Sequence, residues 1–313
     1  MESQEIVELF KQNLADPDAS PSHAAIHTLA QLIESSTEST VQGLSLELER
    51  AAKVLSTENE ILSERSGRTP LSVMAGCDMF RCHTHKTLVE ADYQDFPKLK
   101  ERIVASGLQL AKMRPASLEK ITEMALRCFK DNQVILVHGY SQVVSHMLVK
   151  ASTKFHISVL VTECRPYCEG YLMCEVLKKN NIPYKLILDN SVAAVIETVD
   201  FVMFGAEAVV ESGGVVNRVG TYGISLIAKS FRKPVYVCTE SLKFLRLFPL
   251  SQRDLPDSTL AKLEPLQTSE AVENILTPVC DLTPPALITL LFTDLGILTP
   301  SAISDELIQV YNQ

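Results

Sequence analysis

The sequence predicts an α/β protein in two parts, a helical one followed by one built on a parallel sheet. Up to about Lys130 the apolar residues recur at helical intervals. From Val134 onward, short β-branched runs alternate with amphipathic segments. Those runs lie about 25 residues apart, the rhythm of βα units. The expected division is a helical domain over residues 1–130 and a Rossmann-like α/β domain over residues 131–313.

In the first part, Val41, Leu44, Leu48, Ala52 and Leu55 form one helical stripe, and Ser39 with Gln42 three residues later fits a capping box. Leu99, Ile103, Gly107 and Leu110 repeat the stripe, as do Leu118, Ile121, Ala125 and Cys128. Linkers are expected at Asp16 to Ser22, rich in Pro and Asp, and at the polar stretch Ser63 to Pro70. The second part should carry strands at Val134 to Val137, Ile157 to Val161, Lys185 to Leu188, Phe201 to Phe204 and Val235 to Cys238. Thr283 before Pro284 and Thr299 before Pro300 each read as a cap followed by proline at the first helical position. Between them, Leu287 to Leu298 is too apolar for a free surface, which leaves core or a subunit interface.

The 313 residues are 46% hydrophobic and 21% charged, enough to bury one large core or two modest ones. A formal net charge of −9 without a long basic run gives no electrostatic reason to bind nucleic acid. No stretch approaches the roughly 20 uninterrupted apolar residues of a membrane span. Glu2 to Leu14 is acidic and amphipathic, so a cytosolic protein is expected. Eight scattered cysteines suit buried free thiols in a reducing compartment.

In an open parallel sheet, ligands bind at the carboxyl ends of the strands. There the chain carries His138-Gly139-Tyr140-Ser141, Thr162-Glu163-Cys164-Arg165-Pro166, Asp189-Asn190, Gly205-Ala206-Glu207 and Thr239-Glu240. The glycine-rich Glu211-Ser212-Gly213-Gly214 precedes Asn217-Arg218-Val219-Gly220-Thr221, which leads into a helix. Such a turn can aim backbone N–H groups, a guanidinium and a helix N-terminus at a phosphate. Ordinary βα turns have the same composition, so both readings stand. G-x-G-x-x-G is absent, which argues against NAD. Cys77, Cys82, His83 and His85 have the wrong spacing for a zinc site, and no metal is expected. His23 and His27 lack the acidic residue of H-E-x-x-H, and a solvated helix face is the better account. Ser141 near His138 is a turn pair without an orienting acid.

The stretches Gly205-Ala206-Glu207, Asn217 to Thr221, Ser241 to Leu250, and Leu287 to Gly296 through Asp305-Glu306-Leu307 resemble the alpha-subunit family of eukaryotic translation initiation factor 2B. That family shares a fold with the methylthioribose-1-phosphate and ribose-1,5-bisphosphate isomerases, and the resemblance runs over nearly the whole chain. In the isomerases a Cys follows the first sheet strand and an Asp closes a G-A-D turn, a pair suited to moving protons between neighbouring carbons. Here those positions read Gly139 and Glu207. Glycine transfers no proton, glutamate reaches one methylene further, and Cys164 and Cys168 follow a different strand. The resemblance therefore implies no catalytic residues, no required cofactor, and an anion-holding set of Arg165, Asn217 and Arg218 for a sugar phosphate or nucleotide phosphate.

It further implies a regulatory, non-catalytic subunit of the guanine-nucleotide exchange factor for initiation factor 2. Two such subunits would pair as a homodimer and bridge the beta, gamma, delta and epsilon subunits into a decamer. The helices before Lys130 would sense the phosphorylated alpha subunit of initiation factor 2. Pairing surfaces are expected at Leu287 to Leu298 and Phe244 to Leu250, with Phe244, Leu247, Phe248, Leu291 and Phe292 as the contact candidates. A sugar-phosphate isomerase with a relocated catalytic pair and a stand-alone metabolite sensor are the competing readings.

Overall fold

The computed structural model describes residues 3–16, 19–57, 70–90, 96–256 and 278–312. Most of the expected Ser63 to Pro70 linker lies outside the described residues. Helices α1 (Ser3–Leu14), α2 (Pro21–Ser35), α3 (Val41–Thr57), α4 (Leu71–Glu90) and α5 (Phe96–Lys112) form a bundle, and α6 (Arg114–Ala125) leads to the sheet. Helix α2 is the bundle's axis, with Ile26, Leu29 and Ile33 fully buried. Its start is fixed by Ser20, which accepts the His23 N–H while Pro21 occupies the first turn. Helix α4 crosses it closely at Gly76, where a Cβ would stand 2.5 Å from the Ser22 carbonyl oxygen. The stripes of α3 and α5 bury the predicted Leu44, Leu48, Leu55, Leu99 and Ile103. The first turn of α3 is held by Thr40, whose hydroxyl accepts the Gly43 N–H, so the side-chain cap lies one residue past the expected Ser39.

The main sheet is built from β1 (Gln133–His138), β2 (Ile157–Thr162), β3 (Tyr184–Ile187), β4 (Phe201–Phe204), β7 (Val235–Cys238), β10 (Leu290–Phe292) and β11 (Ile297–Leu298). Its order is β11-β10-β7-β4-β1-β2-β3, parallel except where β11 returns antiparallel to β10. Ile135, Leu136 and Val137 of the central β1 are buried on both faces, as a strand covered by helices on each side requires. The covering helices are α7 (Gln142–Ser152), α8 (Gly170–Lys179), the short α9 (Val192–Val195) and α10 (Thr221–Ser230). The strand order switches between the parallel β1 and β4, with β2 and β3 to one side and β7 and β10 to the other, which opens a crevice at their carboxyl ends. No helix of the described residues is long and apolar enough to cross a membrane.

A second sheet was not expected from the sequence. It runs β8 (Phe244–Leu245), β5 (Ala208–Val210), β6 (Val215–Arg218), β9 (Cys280–Thr283). Glu211 to Gly214 is the hairpin turn between β5 and β6, not a phosphate loop. Gly213, at φ +79°, packs on the Pro300 backbone. The helix expected after Thr283-Pro284 is only one 3-10 turn, Pro285–Leu287, because the chain must at once enter β10. After Thr299-Pro300, a 3-10 turn does lead into α11 (Ile303–Asn312).

Three of the expected pairing residues belong to the chain's own core. Phe244, Leu291 and Phe292 are each 0% exposed. Leu291 faces Phe244, Ile303 and Leu307, and Phe292 faces the opposite side of the sheet against Tyr236, with ring centroids 5.5 Å apart. A strand in the body of a parallel sheet buries both faces, which accounts for Leu291 and Phe292, whereas Leu295 and Ile297 of the same run are each 39% exposed. Leu247 is half-buried, whereas Phe248 and Leu250 are 60% and 83% exposed.

Candidate functional site

The crevice holds a cavity of about 260 Å³. Its floor is made by the turns after β1, β4 and β7 and by the end of β6, and the helical half closes over it through Ser20, Pro21, Ser72 and Arg114. Three cations line it, Arg114, Arg218 and Lys243, together with three carboxylates, Glu169, Glu207 and Glu240.

Arg218 ends β6 and is 6% exposed. Its Nε and Nη2 donate to the two oxygens of Glu169 at 2.7 and 2.8 Å, a bidentate pair, and Nη2 lies 3.5 Å from Glu207 Oε1. Burial alone would favour loss of its proton, but Glu207 and Glu169 more than offset this and hold Arg218 above its ordinary value. Glu207 also joins the two halves of the chain. The Ser72 hydroxyl on α4 reaches both its backbone carbonyl oxygen (2.8 Å) and its carboxylate (3.1 Å). Asn217 donates to the Thr221 hydroxyl at 3.1 Å, which fixes its amide at the cavity wall. Lys243 donates to the Ala206 carbonyl at 2.7 Å, and burial pulls its pKa down against the upward pull of Glu207 and Glu240.

Arg165 does not line the cavity. Its side chain is 58% exposed and pairs with Glu163 at 3.2 Å, while Asp189 accepts its backbone N–H and that of Cys164. The structure thus brings Asn217 and Arg218 together and leaves Arg165 on the surface.

The N-terminus of α10 is also not open to an anion. Asp281 on β9 accepts the Gly220 N–H at 2.7 Å and the Tyr222 N–H at 3.1 Å. Burial pushes the Asp281 carboxyl up to about 7 despite these bonds. Because its pKa lies above that of an ordinary aspartate, the folded state keeps a proton that the unfolded chain gives up. Its contribution therefore weakens as pH rises from about 4 to about 7, by at most about 1.4 kcal/mol per pH unit, and is constant beyond. Asp281→Asn should remove that slope. Urea midpoints of wild type and variant at pH 5 and pH 8 check it, and an unchanged gap between the two proteins at both pH values would contradict the assignment.

His138 and Ser141 do not meet as a catalytic pair. Ser141 caps α7 by accepting the Val144 N–H. His138 Nε2 donates to the Val219 carbonyl at 2.9 Å, and Nδ1 accepts from the Thr162 hydroxyl at 2.6 Å. Burial lowers its pKa, so the imidazole is a neutral clamp between β1, β2 and the turn before α10. Gly139 has φ +66°, and a Cβ there would stand 3.0 Å from Cys164 Sγ. The sequence order, with Cys164 after another strand, hides this proximity. The thiol is 3% exposed and does not line the cavity, and burial pushes its pKa well above that of an ordinary cysteine. Cys77 is buried within α4, and Cys82 donates to the Tyr311 carbonyl.

His23 is buried, not solvated. Ser20 Oγ lies 2.6 Å from its Nδ1, and its Nε2 is 3.7 Å from Glu240 Oε1. Arg114, Glu240, Lys243 and Glu169 were not picked out from the sequence as site residues. Only Glu240 carried a signal, as the second residue past a predicted strand.

The sequence profile of the initiation factor 2 subunit family matches residues 15–300. The chain belongs to that family. It is 42% identical over 297 residues to translation initiation factor eIF2B subunit alpha of Dictyostelium discoideum, covering 91% of this chain and 90% of that one. The Caenorhabditis elegans protein of the same name is 34% identical, over 99% of this chain and all of its own length. The family's enzymatic branch is present as well: ribose 1,5-bisphosphate isomerase of Pyrococcus furiosus is 30% identical over 68% of this chain and 67% of the isomerase. Among solved structures, a tetrameric eIF2B-beta2-delta2 complex from C. thermophilum contains a chain that matches 99% of this one and is matched over 94% of its own length, with a TM-score of 0.76 at 19% identity. The Pyrococcus horikoshii OT3 translation initiation factor eIF-2B gives 0.70 at 19%, over 95% of this chain and 97% of its own. These structural likenesses establish the initiation factor 2 subunit fold.

Proposed function

We propose that the chain is the regulatory, non-catalytic alpha-type subunit of the guanine-nucleotide exchange factor for initiation factor 2. In this reading it acts in the cytosol and pairs as a homodimer. It joins the beta, gamma, delta and epsilon subunits into a decamer, and its helical half senses the phosphorylated alpha subunit of initiation factor 2. The carrying observation is the 42% identity, sustained over about nine-tenths of both chains, to a relative named as an eIF2B alpha subunit. Two features of the cavity support a subunit rather than an enzyme. Gly139 offers no proton-transferring group where the isomerases carry Cys, and the neighbouring Cys164 thiol is sealed from the cavity. What the cavity retains is polar binding chemistry, centred on Asn217 and Arg218, for a sugar phosphate or nucleotide phosphate held as a structural or regulatory ligand.

Native mass determination of the complex recovered with the chain should show the other four subunit types and two copies of this one. Recovery of the chain with no partner would overturn the subunit reading, and turnover of ribose 1,5-bisphosphate would restore the enzyme. In an exchange assay, omitting the chain should weaken inhibition by the phosphorylated alpha subunit of initiation factor 2. Of the expected pairing residues Phe248 stays exposed, and Leu250 beside it is exposed as well. Phe248→Asp combined with Leu250→Asp should convert a dimer to a folded monomer in light scattering, with the circular dichroism spectrum unchanged.

A further inference from the structure

The three cations and three carboxylates that line the cavity leave it without excess positive charge. A phosphate monoester, which carries close to two negative charges above its second pKa of about 6, would enter a buried site whose cations are already matched. Either a carboxylate must leave, or one must become neutral. The three carboxylates are unequal in this respect. Glu169 is tied to Arg218 through two short hydrogen bonds, and Glu207 accepts the Ser72 hydroxyl and faces Arg218. Glu240 is 1% exposed, and among the described residues neither of its oxygens has a hydrogen-bond partner.

From this geometry we infer that Glu240 sets the cavity's ligand requirement: an anion enters together with one proton, which Glu240 carries as a neutral carboxyl whose O–H is donated to a ligand oxygen. The inference rests on the proposed reading of the cavity as a phosphate site. The neighbours of Glu240 act on its charge in both directions. Arg114, at the start of α6, has its Nε 3.4 Å from Oε1 without hydrogen-bond alignment, and its Nη2 is committed to Gln142 at 2.5 Å. Lys243 donates a hydrogen bond to the Ala206 carbonyl oxygen. His23 on α2 is held neutral, its pKa lowered to about 3 by burial and by the charges of Arg114 and Lys243, so it supplies no cation. Asp294, in the turn between β10 and β11, accepts from Ser241 and adds negative charge nearby. Burial, aided by Asp294, raises the Glu240 pKa against the downward pull of Arg114 and Lys243. A protonated Glu240 also gives the two orphaned oxygens a use, one as donor to the ligand and one as acceptor facing Arg114.

The test is calorimetric titration of the full chain with ribose 5-phosphate at pH 8, in two buffers of different ionisation enthalpy. Uptake of about one proton per bound ligand is expected, with Kd weakening about tenfold per pH unit between pH 7 and pH 9. Glu240→Gln, which keeps the shape and offers an N–H donor without titrating, should bind without uptake and with a flat pH profile. Binding to wild type without proton uptake overturns the role of Glu240 and leaves the cavity a phosphate site. Uptake that persists in Glu240→Gln places the proton elsewhere and also overturns it. No binding at any pH from 5.5 to 9 overturns the phosphate reading of the cavity itself, and the inference with it.

Discussion

Replacing Arg218 with methionine is expected to destabilise the protein by about 3–5 kcal/mol, because removal of one partner from a buried ion pair strands the other. Here two carboxylates lose the guanidinium, Glu169 and Glu207, each within 3.5 Å of it. Urea denaturation at pH 8 measures the loss. Arg218→Lys keeps the charge but not the two-pronged geometry and should fall between the two proteins. Combining Arg218→Met with Glu169→Gln should recover stability relative to the single variant. An Arg218→Met protein as stable as wild type at pH 8 would show that the pair is not a structural tie.

The site also shows which information a linear sequence carries. Asn217 and Arg218 were legible because they sit beside each other just before a helix, where polar residues after a strand invite inspection. Arg114 and Ser72 were not, because nothing around them announces a site. They reach the cavity only because the helical half packs over the carboxyl ends of β1 and β4. Strands β1, β2, β4 and β7 are legible as short, largely apolar runs of β-branched, aliphatic and aromatic residues, the mark of burial on both faces. The second sheet was not, since β5 and β8 are three and two residues long and the turn after β5 has the composition of an anion loop. Glu207 is the most instructive residue. In the fold its one carboxylate meets both Ser72 on α4 and Arg218 on β6. That pair of contacts ties the helical half to the second sheet.

Leu291→Asp is expected to abolish folding, not to yield a folded monomer. Counting apolar residues between 287 and 298 cannot separate core from interface, because both need the same side chains. Burial separates them: Leu291 is 0% exposed and packed among Phe244, Ile303 and Leu307 in a single protomer. Losing the leucine costs about 2–5 kcal/mol, and a carboxylate in that apolar surround adds several more, whether it stays charged or takes up a proton. The sum approaches the roughly 5–15 kcal/mol that holds a whole domain together. Circular dichroism and solubility at 25 °C should show a largely unfolded or aggregated variant, whereas Leu291→Ala should remain folded with a lowered urea midpoint. A soluble, well-folded Leu291→Asp protein would mean that β10 is not seated as described. The contrast with the Phe248→Asp and Leu250→Asp double variant is the decisive comparison. If Leu291→Asp unfolds while the exposed double variant stays folded and loses only its partner, Leu291 belongs to the core of one chain and pairing is carried by the exposed Phe248 and Leu250.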